Sequence, residues 1–265
     1  MASQQTLSLL GSGWLGLPLA KQLVKYGYNL NLSTRDLGKF PALKHAGTTP
    51  FLVDIEQLTD GIADFMQADS LIINITSKCL ADFEQLIETI AHSPIKQVLF
   101  ISSTSVYQNT NTVITEVQGA ELTDHPLYQI EQAFQQCPHF DTTILRLSGL
   151  VGYQRHPGYF FANGKVVAQP DTPVNLIHRD DCIGIIVSII EQAAWGEVFN
   201  GCADSHPTKR DFYSHARQLL NQAPPLFAQA TQSHYKIVSN AKIKTQLGYS
   251  FIYPDLMQIP FKEVG

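Results

Sequence analysis

Short apolar runs alternate with segments of helical periodicity along the chain up to residue 147. Six strands are predicted from these runs, at residues 7–10, 29–33, 51–53, 70–75, 97–102 and 142–147. Leucines recur at helical spacing in residues 14–26, a predicted helix that Gly27 ends, and another helix is predicted near 127–136. Apolar strands that alternate with helices are typical of a parallel sheet covered on both faces. The pattern therefore predicts an α/β fold with a Rossmann-type, doubly wound sheet.

The pattern changes after Ser148, where glycine and proline interrupt the next 25 residues. Helices are then predicted at about 180–192, 209–220 and 240–247, the first with Asp180 as its N-cap. We predict a dinucleotide-binding domain at 1–148 and a small C-terminal α/β lobe at 149–265, interleaved with the sheet domain. The amphipathic segment 256–260 is expected to pack on that lobe.

Composition and charge argue against a disordered, a nucleic-acid-binding or a membrane-spanning protein. The chain has 265 residues, of which 44% are hydrophobic and 15% charged, with a net charge of −5, so it is globular and lacks the basic excess of nucleic-acid-binding proteins. No apolar run approaches the ~20 residues that span a bilayer, and the N-terminus has no basic segment of the signal-peptide kind. We expect a cytoplasmic protein without a membrane or nucleic-acid partner.

Cysteine and histidine spacing gives no metal signature. The four cysteines include no C-x-x-C pair, and the nine histidines show no H-x-x-x-H spacing. Widely spaced cysteines are typical of reduced, buried thiols. We therefore predict no metal site.

A glycine-rich loop follows the first predicted strand and opens the first predicted helix. Its sequence is Gly11-Ser12-Gly13-Trp14-Leu15-Gly16. In such a loop the first glycine permits a tight turn, the second lets the backbone approach a pyrophosphate, and the third lets the helix pack on the strand. The helix N-terminus then favours an anion. The loop predicts a dinucleotide site.

The end of the second strand selects between NAD and NADP. An acidic residue there favours NAD, whereas this chain has Thr34 at the predicted ribose position, followed by Arg35. A guanidinium matches a 2′-phosphate with forked hydrogen bonds, so we favour NADP over NAD. Asp36 supports the alternative, because a shift of two residues would place it at the ribose. Asp54, after the third strand, is a candidate acceptor for the adenine amino group.

Several further segments, in this order, resemble the extended short-chain dehydrogenase/reductase family, the NAD-dependent epimerase/dehydratases. They are Ser102-Ser103-Thr104-Ser105-Val106-Tyr107, Thr115-Glu116, Leu145-Arg146 with Gly152, Asn175-Leu176-Ile177-His178 with Asp181, and Phe199-Asn200-Gly201. Val151 stands where the family has Tyr. The resemblance runs nearly end to end and implies the family fold, a nicotinamide cofactor and a catalytic serine at Ser103.

The chain departs from the family at the catalytic Tyr-x-x-x-Lys pair. Aligned on Glu131, the two positions are Thr123 and Leu127; aligned on Tyr128, the lysine position is Gln132. No lysine occurs between Lys96 and Lys165. A neutral side chain cannot lower a tyrosine pKa by charge, so the chain is an atypical member. Tyr128 is retained as a candidate acid in a shifted register.

The resemblance also implies groups beside the cofactor and the substrate. Candidate cofactor contacts are Asn74, Ile75, Thr76 and Ser102, and candidate substrate contacts are Thr104, Arg155 and His156. Arg179 and Arg210 could join Arg155 and His156 in holding a substrate phosphate. Family members often dimerise through the two helices that flank the Ser103 strand, so a homodimer is allowed for.

Two functions fit these observations. The first is an NADP-dependent oxidoreductase or epimerase that acts on a small or nucleotide-sugar-like substrate with a non-standard acid. The second is a non-catalytic redox sensor or regulator whose bound dinucleotide biases a partner interaction. Ser103 and Arg35 favour the first function, whereas the missing Tyr/Lys pair favours the second.

Overall fold

A computed structural model describes residues 5–58, 61–229 and 234–261 of the chain. The strands in these residues are β1 (Thr6–Leu10), β2 (Asn29–Thr34), β3 (Thr49–Leu52), β4 (Ser70–Ile73), β5 (Gln97–Ser103), β6 (Val113–Ile114), β7 (Asp141–Leu147), β8 (Gly149–Val151), β9 (Val166–Val167), β10 (Leu176–His178), β11 (Val198–Gly201), β12 (Leu226–Phe227) and β13 (Ile237–Val238). The helices in the same residues are α1 (Gly16–Lys25), α2 (Phe40–His45), α3 (Ile62–Phe65), α4 (Leu80–Ala91), α5 (Pro126–Gln136), α6 (Arg179–Glu191), α7 (Lys209–Gln218) and α8 (Ala241–Leu247).

Seven strands form one parallel sheet in the order β11-β7-β5-β4-β1-β2-β3. Strand β1 pairs with β2 on one side and with β4 on the other. The strand order therefore reverses between β1 and β4, which is the arrangement of a doubly wound Rossmann-type sheet. The predicted fold class is confirmed. In such sheets a ligand binds outside the carboxyl ends of the strands at the reversal point, here the ends of β1 and β4.

The predicted boundaries of the first helix agree with the structure to within two residues, and several later ones differ by one or two residues, as at β3, which is Thr49–Leu52 rather than 51–53. Two of these differences have an identifiable hydrogen-bond cause. Helix α1 begins at Gly16, so Pro18 falls in its first turn, and Gly27 has a φ of 92°. Strand β4 ends at Ile73, two residues early, because the chain leaves the sheet after the Asn74 N–H bonds the Leu10 carbonyl (2.8 Å).

The second difference is at α6, which begins at Arg179, so the predicted N-cap at Asp180 is wrong. The ring of His178 supplies the acceptor instead, because its Nδ1 accepts a hydrogen bond from the Asp180 N–H (3.2 Å). The carboxylate of Asp180 accepts a hydrogen bond from the hydroxyl of Tyr153, with distances of 3.0 and 2.7 Å to its two oxygens.

The chain divides into two compact, non-contiguous units. The first contains the residues up to Ser102, Leu122–Leu145 and Ile186–Val198. The second contains Ser103–Glu121, Arg146–Ile185 and the residues from Phe199 onward. The domain boundary after residue 148 is a single point along the chain and stays a prediction.

In the first unit, an aromatic cluster packs α4 and α5 against β5. The rings of Phe100 and Phe134 stack with centroids 5.1 Å apart, and Phe83 meets both edge-on at 5.7 and 6.0 Å. All three side chains are fully buried or nearly so. Each ring of this kind buries a large apolar area and gains a further contribution from offset or edge-on geometry.

The second unit has its own hydrophobic core, to which the predicted amphipathic segment contributes. Leu256 and Ile259 are buried there together with Phe212 and Phe261, which confirms that segment 256–260 packs on the lobe. The second unit also contains three short parallel strand pairs, β8 with β10, β9 with β12 and β6 with β13, and Val151 of β8 and Leu176 of β10 are part of this core.

Buried Asp181 fixes the segment after α8 in the second unit. Its Oδ1 accepts from the Tyr249 hydroxyl (3.0 Å) and the Ile252 N–H (2.6 Å), and its Oδ2 accepts from the Tyr253 N–H (3.0 Å). Both oxygens are therefore acceptors, and no donor can replace either without leaving an N–H unpaired.

We expect Asp181→Asn to lower the free energy of unfolding by about 2 kcal/mol, because the amide NH₂ would face a backbone N–H and leave it unsatisfied. Thermal or urea unfolding of the purified variants measures this. Asp171→Asn is the control, since the Asp171–Arg210 ion pair is 49% and 42% exposed at its two side chains and should change stability little. Equal stability losses in both variants would contradict the role of Asp181.

Candidate functional site

The glycine loop after β1 has the close packing that its sequence predicts. Gly11 has a φ of 110°, and a Cβ there would lie 2.3 Å from the Asn74 carbonyl oxygen. A Cβ on Gly16 would lie 1.9 Å from the Gly11 carbonyl oxygen. These two glycines let the start of α1 and the chain after β4 approach the loop backbone.

Gly13 differs from its two neighbours in the loop. A Cβ built on Gly13 meets nothing within 4 Å, and its φ lies outside the left-handed region. Gly13 is exposed and lines the adjoining cleft. The absence of a side chain at Gly13 therefore leaves the loop backbone open to the cleft, and packing within the protein does not require it.

Ser33 holds the loop from the neighbouring strand, a role that the sequence analysis missed. The Gly11 N–H donates to Ser33 Oγ (2.8 Å), and Ser33 is only 2% exposed. A polar residue at a predicted buried strand end could have indicated such a contact, but its partner could not be named before the β1–β2 pairing was known.

A cleft of about 590 Å³ opens at the carboxyl ends of β1, β2, β3 and β4. Of the predicted cofactor residues, the structure brings nine to its lining, namely Gly11, Ser12, Gly13, Thr34, Arg35, Asp54, Asn74, Ile75 and Thr76. The lining also includes Asp36, the alternative ribose residue, and Ser77, which follows the predicted contacts after β4. The remaining lining residues were not predicted as contacts, namely Leu10, Ser33, Lys39, Val53, Ile55 and Glu56. Trp14, Leu15, Gly16 and Ser102 are not among the lining residues.

Cationic and anionic side chains meet where β2 and β3 end. The Asp36 carboxylate accepts from the Gly38 N–H (2.9 Å) and caps the 3-10 turn Leu37–Lys39. Arg35 is exposed, with its Nη1 4.0 Å from Asp54 Oδ2 and 3.8 Å from Glu56 Oε1. Lys39, which was not predicted, adds a second cation to this part of the lining.

The segment after β4 lines the cleft with amide and hydroxyl groups. It runs from Asn74 to Ser77, and the Ser77 hydroxyl accepts from the N–H of Cys79 (3.4 Å), the residue before α4.

Within the described residues no group of three or more His, Cys, Asp or Glu side chains is arranged to hold a metal ion.

Ser102 is buried and bonded inside the first unit. Its hydroxyl donates to Oε1 of Glu131, a fully buried carboxylate on α5. This contact explains why the helix carries a glutamate on its apolar face. Ser102 is predicted as a cofactor contact, and that role stays a prediction.

Ser103 ends β5 and belongs to the second unit. Its Oγ accepts from the Ser105 N–H (3.1 Å) and so caps the short 3-10 turn Thr104–Val106. Because a hydroxyl has one proton and two lone pairs, Ser103 keeps its proton available for another acceptor. Thr104 is buried, and its hydroxyl lies 3.5 Å from that of Ser148.

Tyr128 lies on α5 in a different cleft from the glycine loop. This second cleft has a volume of about 570 Å³ and is lined by Leu80, Glu84, Thr123, Tyr128, Gln129, Gln132, Ala133 and Gln136. Among the described residues, none lines both clefts. The structure therefore does not bring Tyr128 together with the residues that line the first cleft.

A buried polar network in the second unit joins four of the family-like segments. Arg146 Nη1 donates to the Tyr107 hydroxyl (2.7 Å) and to Glu121 Oε1 (2.5 Å), and the Tyr107 hydroxyl donates to Asn200 Oδ1 (2.9 Å). The Asn200 N–H donates to Glu116 Oε1 (2.9 Å). Burial raises the pKa of Tyr107 and of Glu116, against the lowering effect of Arg146.

The predicted substrate residues Arg155 and His156 differ in exposure. Arg155 is exposed, whereas His156 is 4% exposed, with its Nδ1 accepting from the Gly158 N–H (3.0 Å) at the start of a 3-10 turn. The guanidinium of Arg179 stacks 3.8 Å above the Tyr153 ring, and Arg210 pairs with Asp171 at 2.9 Å. These contacts account for the positions of His156, Arg179 and Arg210; their substrate roles stay predictions.

Protein YeeZ of Escherichia coli strain K12 is similar to this chain over nearly its whole length. The two are 30% identical over 272 residues, which cover 97% of this chain and 99% of YeeZ. No protein-family model matches the chain. In the described part of the chain, no helix is long and apolar enough to cross a membrane.

Solved structures with NAD share the fold. UDP-glucuronic acid 4-epimerase from Bacillus cereus, in complex with NAD, has a TM-score of 0.79 and 18% identity, covering 97% of each chain. A short-chain dehydrogenase/reductase superfamily protein from Agrobacterium tumefaciens with bound NAD has a TM-score of 0.77 and 15% identity, covering 95% of this chain and 94% of that one.

We expect Gly16→Ala to lower the free energy of unfolding by about 3 kcal/mol, because the new methyl group collides with the Gly11 carbonyl and must displace α1. Gly13→Ala is the matched variant and should change stability by less than about 0.5 kcal/mol, because its methyl group meets open space. Chemical denaturation of both variants tests this. A Gly13→Ala variant as unstable as Gly16→Ala would show that the loop is packed differently.

Proposed function

The chain belongs to the same family as protein YeeZ of Escherichia coli and has the fold of the NAD-dependent epimerase/dehydratases, and from this premise we propose that it binds a nicotinamide dinucleotide. We further propose that it is an oxidoreductase or epimerase for a small or nucleotide-sugar-like substrate. The observation that carries the proposal is Gly13, whose missing side chain opens the loop backbone to a cleft of about 590 Å³ at the strand-reversal point.

The residues present fit a dinucleotide. Gly11, Ser12 and Gly13 line the cleft, and the loop leads into α1, whose helix dipole and backbone N–H groups would favour a pyrophosphate. Thr34 and Arg35 line the cleft after β2, and Asn74 to Ser77 line it after β4. The solved neighbours named above hold NAD in structures with the same fold, which supports the cofactor class.

Two cations support a preference for NADP. Arg35 and Lys39 both line the cleft, and an arginine fork is well suited to a 2′-phosphate. Asp36, the residue that would favour NAD, has its carboxylate engaged by the Gly38 N–H (2.9 Å). A carboxylate that accepts one hydrogen bond keeps further acceptor capacity, so Asp36 remains the basis of the NAD alternative, and Asp54 and Glu56 are also near Arg35.

Ser103 is our candidate for the group that polarises a substrate oxygen. Its oxygen accepts from the Ser105 N–H (3.1 Å), so its proton is free to be donated, and the cap fixes the direction of the side chain. A bound nicotinamide supplies the hydride chemistry. Between residues 96 and 165 no lysine is present to lower a tyrosine pKa, so proton transfer would fall to another group, for which Tyr128 remains a proposal.

The substrate class is proposed from similarity and from charge. One solved neighbour is a UDP-glucuronic acid 4-epimerase, and Arg155 offers an exposed cation in the second unit for a phosphate. These features favour a phosphate-bearing substrate such as a nucleotide sugar.

A non-catalytic redox sensor is the second candidate. It is favoured by the position of Tyr128, which lines the second cleft, and by the missing lysine. A sensor should distinguish strongly between oxidised and reduced dinucleotide and show no turnover, whereas an enzyme should bind both forms and turn over a substrate.

Calorimetric titration with NADP, NADPH, NAD and NADH tests cofactor binding and its selectivity. We expect Arg35→Glu to weaken NADP binding by about 1–3 kcal/mol while sparing NAD, because it removes a charge-assisted contact. Gly13→Ala should weaken both cofactors by filling the approach to the pyrophosphate. Lys21→Glu, an exposed change of equal charge on α1, is the control. Equal losses for NADP and NAD in Arg35→Glu would refute the 2′-phosphate role.

Turnover in a panel of nucleotide sugars, followed by nicotinamide absorbance and product chromatography, tests Ser103. We expect Ser103→Ala to lower turnover by about 10²–10³-fold through loss of a donor to the reacting oxygen, with cofactor affinity unchanged. Ser105→Ala is the matched control, because its backbone N–H remains. Unchanged turnover in Ser103→Ala would exclude it as a catalytic residue, and absence of turnover in the native protein would favour the sensor.

A further inference from the structure

The loops that follow β2 and β3 place opposite charges side by side in the first unit. The two strands pair in parallel with Thr34 opposite Leu52, and the Val53 N–H donates to the Thr34 carbonyl (3.1 Å). The residues that come next, Arg35 on one loop and Asp54 and Glu56 on the other, therefore leave the sheet at the same edge. All three line the cleft.

The two carboxylates are directed at one guanidinium nitrogen. Asp54 Oδ1 accepts from the Glu56 N–H (3.1 Å), which turns the loop back on itself, while Asp54 Oδ2 lies 4.0 Å from Arg35 Nη1. Glu56 Oε1 lies 3.8 Å from the same nitrogen. The Arg35 and Glu56 side chains are 71% and 62% exposed, so the contact is weak, and either side chain can turn away.

A 2′-phosphate that used Arg35 would compete with these carboxylates. The phosphate carries up to two negative charges, and it would have to share the N–H donors of Arg35 with the two carboxylates. NAD has a neutral hydroxyl at this position and makes no such demand on Arg35.

From this arrangement we propose that Glu56, with Asp54, is a cofactor-specificity determinant that holds Arg35 and thereby lowers the preference for the 2′-phosphorylated dinucleotide. The inference rests on the proposed dinucleotide site. Arg35 and Lys39 attract the phosphate, and Glu56 reduces the attraction between Arg35 and the phosphate by pairing with Arg35. Glu56 is thus a positioning residue that acts through Arg35.

Titration of NADP, NAD and adenosine 2′,5′-bisphosphate into the native protein and Glu56→Gln tests the proposal. We expect Glu56→Gln to bind NADP and the bisphosphate about three- to tenfold more tightly and NAD within about twofold of native. The gain should shrink at high salt, because exposed charges are screened. Glu88→Gln, an exposed change of equal charge on α4, should alter neither affinity.

A double variant separates action through Arg35 from a direct effect of charge. In an Arg35→Gln background, Glu56→Gln should no longer improve NADP binding. A gain that persists there, a gain shared equally by NAD, or no gain at all would overturn the proposal. If any of these outcomes is found while the native protein binds both dinucleotides and Gly13→Ala weakens binding of both, only the role of Glu56 is refuted and the dinucleotide site stands. If the native protein binds neither, the dinucleotide site and this inference fall together.

Discussion

The close approach of three backbone segments, at Gly11, Gly16 and Asn74, is the constraint on which the first unit depends. A Cβ at either glycine would come within 2.3 Å of a backbone oxygen, and backbone, unlike a side chain, cannot rotate away. Because of this approach α1 starts directly beside β1, and the chain after β4 lies against the glycine loop. The loop is fixed further by the Ser33 hydroxyl, which holds the Gly11 N–H. These contacts determine the shape of the cleft beside the glycine loop.

The second unit depends on buried hydrogen bonds more than on close backbone approach. Tyr107, Arg146 and Asn200 are far apart in the chain, and their side chains meet in one network with two glutamates, Glu116 and Glu121. A buried charge is tolerated only when its polar atoms are bonded, so these residues must be present together. Four of the segments that resemble the epimerase/dehydratases are therefore connected physically.

The sequence predicted the sheet, the glycine loop and nine cleft residues, because each of these is a local pattern. A strand, a glycine-rich turn and a helix that follow one another in the sequence predict the geometry of the loop locally. Parallel strands have their carboxyl ends at the same edge of the sheet. The sequence did not predict Ser33, Lys39 or Glu56 as part of the cleft. Their roles arise from pairing between β1, β2 and β3, which residue spacing does not encode. The N-cap of α6 was also missed, because the acceptance of the Asp180 N–H by the His178 ring depends on the ring orientation, which residue spacing does not encode.

The distribution of charge in the cleft bears on the chemistry that it can support. Among its lining residues, the cations Arg35 and Lys39 both lie on the loop after β2, whereas the segment from Asn74 to Ser77 offers amide and hydroxyl groups. Charged side chains of both signs thus line the cleft after β2 and β3, and none lies on the segment that follows β4; they are Arg35, Asp36, Lys39, Asp54 and Glu56. A reaction assisted by neutral hydroxyl donors such as Ser103, without a lysine to lower a tyrosine pKa, loses the charge that ordinarily stabilises a tyrosinate. Such a reaction is suited to a substrate whose own acidic group or leaving group carries part of the proton transfer.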